Sequence, residues 1–188
     1  MRFARLASVA ALVLAAAAVS AQEKVDNPEF ASWSKFKKGT STTLKVTAGA
    51  AGTNTETVVT TTLVEVGADK LVVETAGASK FNGMEFKTPA TKRDVTKTIE
   101  LPKGTKKEDA AGGKPPGTFE EGTETIKVGG TDVKTKWVKF KTEVDGSKTE
   151  GKMWTSEEVP GMMVKMESAT TGKIASTMKM ELIEFKKP

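Results

Sequence analysis

From Gly39 onward the apolar residues recur with a period of two, and that period constrains the fold more than any other feature of the chain. "TSTTLKVTA", "TETVVTTTLVEV" and "KLVVETAG" are threonine- and valine-rich runs divided by "GAAG" and "GAD". Alternate residues of an extended chain lie on one side, so each run can bury one face in a sheet. The β-branched side chains suit that pleated surface. "TKRDVTKTIEL" reads as a fourth strand. The second half repeats the pattern in "TETIKV", "TDVKTKWVKFKTEV", "TEGKMWTS", "GMMVKMES" and "KIASTMKMELIEF", separated by "GG", "DGS", "EEVPG" and "TTG". Gly129-Gly130 and Asp145-Gly146 are hairpin signals. The predicted fold class is mainly β: a single antiparallel meander of eight or nine strands curled into a half-barrel or barrel.

One segment breaks the period. In "NPEFASWSKFKKG" Asn27 can cap a helix, and Pro28 suits its first position because the missing N–H needs no partner there. Phe30 and Trp33 follow at helical spacing. Lys35, Lys37 and Lys38 sit where the helix dipole favours cations, and Gly39 can close the helix. A short helix over about 27–38 is predicted, with Phe30 and Trp33 as its cover on the sheet. "PKGTKKEDAAGGKPPG", Pro102 to Gly117, combines Pro, Gly and charge with no other apolar side chain larger than alanine, and reads as a mobile loop. Its "GGKPPG" lacks the spacing of a phosphate-binding loop.

Arg2 and Arg5 precede an apolar run from Leu6 to Val19, followed by "VSAQE". Val19 and Ala21 match the small-residue pattern of a signal-peptidase site, so a signal peptide over 1–21 and a secreted or periplasmic location are expected. No later run approaches the ~20 apolar residues that span a bilayer, so stable membrane insertion is not expected. Residues 22–188 then make a single β domain. Without Arg2 and Arg5 the 29 basic residues fall to 27 against 24 acidic, a net charge of +3. That mild excess alternates with glutamate and threonine and forms no aromatic-and-basic platform, so no nucleic-acid partner is expected.

The chain contains no Cys, His or Tyr. Cys/His zinc sites, Ser-His-Asp and Cys-His nucleophiles, and His- or Cys-ligated haem are thereby excluded. The carboxylates are scattered and show no acid and base pair of the glycosidase kind. The protein is expected to be no enzyme, with no cofactor and no metal.

Six methionines fall between Met153 and Met180. On an extended strand Met162, Val164 and Met166 would share a face, and Ile174, Met178, Met180 and Leu182 would share another. Val159-Pro160-Gly161-Met162 fits a type II turn, with Pro at the second position and Gly at the third. In "KTKWVKFK" the apolar parity slips between Trp137 and Val138, which calls for a bulge or for partial cover on both faces. Three readings fit the methionines: ordinary core, an adaptable apolar cavity, or a thioether copper(I) site. The candidate apolar ligand face comprises Trp137, Trp154, Met162, Val164, Met166, Met178 and Met180.

"NPEFASWSKFKKGTSTTLK" and "WTSEEVPGMMVKMES" together resemble the start and late region of small exported proteins of unknown function of the planctomycete type. In these a short aromatic helix leads into "kGt", and a "W-s-x-x-v-P-G" turn precedes "v-K". More distantly, helix followed by long meander is similar in architecture to the lipoprotein-carrier superfamily of periplasmic lipid-binding half-barrels. That resemblance implies a hydrophobic or lipid-like ligand on the concave face. The expected function is non-enzymatic binding of such a ligand. Its rival is a structural or envelope-associated interaction protein, whose protein partner the sequence does not identify. An open cavity favours the first, and a filled core between the sheet and Phe30/Trp33 favours the second.

Overall fold

The structure, a computed structural model, describes residues 24–81, 83–101 and 114–188. The expected signal peptide, and residues 102–113 of the expected loop, lie outside these. The elements are β1 (Lys24–Asp26), α1 (Pro28–Trp33), β2 (Ser41–Ala50), β3 (Thr53–Val66), β4 (Lys70–Phe81), β5 (Met84–Thr96) and β6 (Thr98–Glu100), then β7 (Thr118–Val128), β8 (Thr131–Val144), β9 (Ser147–Thr155), β10 (Met163–Thr171) and β11 (Ser176–Lys186). Nine strands form one antiparallel sheet in the order β5-β4-β3-β2-β11-β10-β9-β8-β7, while β1 pairs with β6 alone. The sheet is open, with β5 and β7 as its edges. It has the predicted class, built as two meanders sewn together along β2 and β11 through pairs such as Leu44↔Leu182 and Val46↔Met180.

The sheet curls strongly at one corner. β7 touches β11 although three strands separate them in the ladder. There, a Cβ on Gly129 would lie 3.4 Å from the Ile183 carbonyl oxygen. Five strands have therefore rolled until their ends nearly meet, which makes the structure a half-barrel. Threonine pairs help to hold the ladders: the hydroxyls of Thr43 and Thr60 lie 3.1 Å apart, and those of Thr149 and Thr170 2.9 Å apart.

Two buried clusters stabilise the fold. In the first, Phe30 and Trp33 of α1 pack on Leu63, Leu71, Val73 and Val95, with Phe36 at the margin. Asn27 caps the helix as expected: its side-chain oxygen accepts the Glu29 N–H at 3.0 Å, and its amide donates to the Thr96 carbonyl at 2.8 Å. Arg93 on β5 holds Glu29 through a two-pronged ion pair, one prong at 2.9 Å. The helix ends at Trp33, one turn short of the expected Lys38. Gly39 and Leu63 explain the early stop. The Gly39 N–H already bonds the Leu63 carbonyl at 2.8 Å, and the Leu63 N–H bonds the Thr40 carbonyl at 2.8 Å, so the chain must leave the helix to meet β3. Gly39 does adopt the expected left-handed conformation, with φ of 90°.

The second cluster, Val128, Val133, Trp154, Val159, Val164 and Leu182, fills the corner where β7 and β11 converge. Emptying one large side chain in either cluster costs about 2–5 kcal/mol. Of the expected mobile loop, residues 114–117 form an ordered entry to β7, where the Thr118 N–H and hydroxyl both bond the Pro115 carbonyl.

Candidate functional site

Register sorts the candidate residues onto two faces. Cross-strand partners share a face, and neighbours along a strand take opposite ones. β8 and β9 pair without a break, Trp137↔Trp154 and Val138↔Met153. The parity slip at Trp137-Val138 is therefore no bulge in β8: Trp137 to Phe140 are all half-buried, so both faces of this strand carry partial cover. One lateral row runs Gly122, Trp137, Trp154, Lys165, Glu181, Lys45. The row beside it, on the other face, runs Glu121, Val138, Met153, Met166, Met180, Val46. The expected ligand face is thus divided: the tryptophans belong to one side of the sheet and Met166, Met178 and Met180 to the other.

The tryptophan face is a closed internal arrangement. The Trp154 indole N–H donates to a Glu124 carboxylate oxygen, which also accepts from the Lys152 ammonium at 3.0 Å. That ammonium lies 4.1 Å from the Trp137 ring centre and 4.4 Å from that of Trp154, and Lys165 sits 4.8 Å from the latter. The cations are attracted by the ring faces. Glu124 is held below the ordinary carboxylate range, first by the Trp154 hydrogen bond and then by Lys152. Trp154 is buried in the second cluster together with Val164, so these two expected ligand contacts are core.

The methionine face carries an apolar row. Met153, Met166 and Met180 are direct partners on three adjacent strands, and Met178 follows one step along β11. All four are half-buried, and none belongs to either core cluster. Beyond the ladders, the main contacts between elements among the described residues are the small ones of α1 with β4 and β5 and of β7 with β11, so no helix or further strand packs over this row. Its end opens into a groove of about 570 Å³. Val138, Met153 and Met162 supply the apolar lining, with Glu121, Lys136 and Lys114 among its polar residues. Trp137 and Gly122 border it. Such a volume lies within the ~300–1,000 Å³ of small-molecule sites.

Met162 reaches the groove by an unexpected route. The type II turn is present: the Met162 N–H bonds the Val159 carbonyl at 2.9 Å, and Gly161 has φ of 74°. Met162 then takes φ of 63°, and the Met163 N–H bonds back to the Gly161 carbonyl at 2.8 Å. A positive-φ γ-turn on a methionine is strained. It places Met162 outside β10, and the register break between Met163 and Lys165 abolishes the expected common face of Met162, Val164 and Met166. Met162 also borders a second groove of about 530 Å³, lined chiefly by Thr, Lys and Glu.

Val138 and Met153 are groove residues that the sequence reading did not include. Their signal was present in "KWVKFK" and "KMWTS", where an apolar residue adjoins each tryptophan and must face the other way. Among the described residues no group of three or more His, Cys, Asp or Glu is placed to hold a metal ion, and no helix is long and apolar enough to cross a membrane.

Fold and groove together define an open antiparallel half-barrel with one N-terminal helix and a half-covered apolar face. No protein-family model matches the sequence, and no curated protein matches it. Among solved structures the chain is similar to a "putative exported protein with YmcC-like fold" from Bacteroides fragilis, at 12% identity and a TM-score of 0.38, over 81% of this chain and 97% of that one. A likeness that loose carries no argument about this protein.

Proposed function

We propose that the protein is an exported, non-catalytic binding protein that holds an apolar or lipid-like ligand on the methionine face. The observation that carries this reading is the half-buried row Val138, Met153, Met166, Met180, uncovered by any second layer among the described residues and ending in a groove of about 570 Å³. Thioether side chains re-pack readily around varied guests. The ligand lies away from α1, because the space under Phe30 and Trp33 is filled.

That filled space supports a second reading, an interaction protein of the envelope without a small-molecule ligand. An apolar fluorescent probe such as N-phenylnaphthylamine separates the two. The binding reading expects saturable uptake at about one probe per chain, weakened by Val138→Asn or Met153→Gln. Absence of uptake by the folded wild type overturns it. The export component is tested by the intact mass of protein from the producing cell, which should begin at Gln22.

A further inference from the structure

We infer that the ligand of the methionine face is an anionic single-chain amphiphile, its acyl chain laid across the strands and its head at Lys136; this rests on the reading proposed above. Charge in the sheet is segregated by face. From β8 to β5 the row Val138, Met153, Met166, Met180, Val46 continues through Thr57 and Ser79 to Phe86. One residue along each strand, on the opposite face, the partners are Lys139, Lys152, Glu167 and Lys179, then Thr47, Glu56, Lys80 and Glu85. Between the methionine row and the turns β8–β9, β10–β11, β2–β3 and β4–β5, no strand residue on the methionine face is charged. One face is therefore made for water and the other accepts hydrocarbon without desolvating a charge.

The extent of the apolar row sets the length of the chain it fits. Adjacent strands lie about 4.8 Å apart, so Val138 to Val46 spans about 19 Å, the extended length of an acyl chain of about 16 carbons. Past Val46 the row turns polar, where the hydroxyls of Thr57 and Ser79 bond each other at 3.0 Å. At the other end the row runs into the groove, whose charged lining residues are Lys114, Glu121 and Lys136. Lys136 lies two residues along β8 from Val138 and shares its face. Lys114 already holds Glu121 in an ion pair. Among the described residues Lys136 pairs only with Glu157, at 3.9 Å, and Lys35 reaches the same carboxylate at 3.8 Å. Two ammonium groups thus share one carboxylate, which leaves a positive charge for an anionic head where the hydrocarbon row ends.

The test is displacement of N-phenylnaphthylamine from the delipidated full-length protein by straight-chain fatty acids of increasing length and by their methyl esters. Affinity should rise about two- to fourfold per added methylene and level off near 16 carbons. The acids should bind more tightly than the esters, and Lys136→Gln should abolish that preference while leaving the length dependence. Thr57→Val, which extends the apolar row by one strand, should move the plateau to longer chains. An unchanged melting temperature confirms that each variant is folded, and the length series on the wild type stands without them. Affinity that does not depend on chain length, or equal binding of acid and ester by the wild type, overturns the inference. Probe uptake that no fatty acid displaces also overturns it and leaves the proposed function standing, whereas absence of probe uptake overturns both.

Discussion

The ring of Trp137 lies directly on Gly122 of the neighbouring strand. A Cβ at Gly122 would stand 2.6 Å from Cζ2 and 2.8 Å from Cε2 of that ring. Glycine is used here for the absence of a side chain, which lets the indole rest against β7 and keeps Lys152 between the two tryptophans. Gly122→Ala should displace the ring and cost about 1–3 kcal/mol, the usual range for overpacking. Tryptophan emission should shift in the same variant. Unchanged emission and an unchanged denaturation midpoint would refute the contact.

Met162 gives a prediction of opposite sign for stability and binding. Its left-handed backbone is disfavoured by about 1–2 kcal/mol relative to glycine. Met162→Gly relieves that strain, partly offset by the greater freedom of the unfolded chain. Stability should therefore rise by up to about 1 kcal/mol while probe binding falls. A loss of stability with binding retained would show that Met162 serves as packing and has no part in the site.

Glu124 provides a pH signature. Its carboxyl titrates below the ordinary range because the Trp154 N–H and then Lys152 stabilise the ionised form. A depressed folded value means that the stabilising contribution is complete above the ordinary carboxylate range and is lost as pH falls through the depressed value. The Trp154 indole N–H resonance should thus move with a midpoint below ~4.3, the usual glutamate value. In Glu124→Gln the transition should disappear. A midpoint at or above that usual value would mean that the hydrogen bond does not form in solution.

Met166 and Met180 separate shape from sulfur. Leucine keeps nearly the same volume, so Met166→Leu/Met180→Leu should retain probe binding and cost less than about 1.5 kcal/mol per site. The polar double variant Met166→Gln/Met180→Gln should weaken binding. Titration with copper(I) under reducing conditions reads the sulfur alone: a stoichiometric site lost in the leucine variant would replace the apolar-ligand reading with the thioether one.

Much of this architecture is legible in the alternation of the chain. "TETVVTTTLVEV" and "TDVKTKWVKFKTEV" are single strands in the structure, and Asn27-Pro28 opens the helix where capping chemistry places it. The β4–β5 hairpin was less visible. Asn82-Gly83 is a strong hairpin dipeptide, but Pro89 and the charged, wholly exposed run around it resemble a loop, and only at an edge does such a run become a strand. β1 is three residues long and carries no period at all. The division of the candidate site has a different cause. Parity along one strand tells which residues share a face, but which face adjoins which across strands depends on register. The irregularity around Val164 shifts that register inside β10, which itself contains no Gly or Pro.

The pairing of β2 with β11 sets an order on how this protein can be made. Residues 41–50 find their second neighbour only at residues 176–186, so the contact that unites the two meanders is the most distant in the sequence and the slowest to form by loop closure. Before Ser176 has been synthesised, β2 and β10 are both bare edges and the methionine row is cut between Met166 and Val46. Half-sheets with bare edges pair promiscuously. During synthesis the chain therefore has a vulnerable interval that ends when β11 slides between β2 and β10.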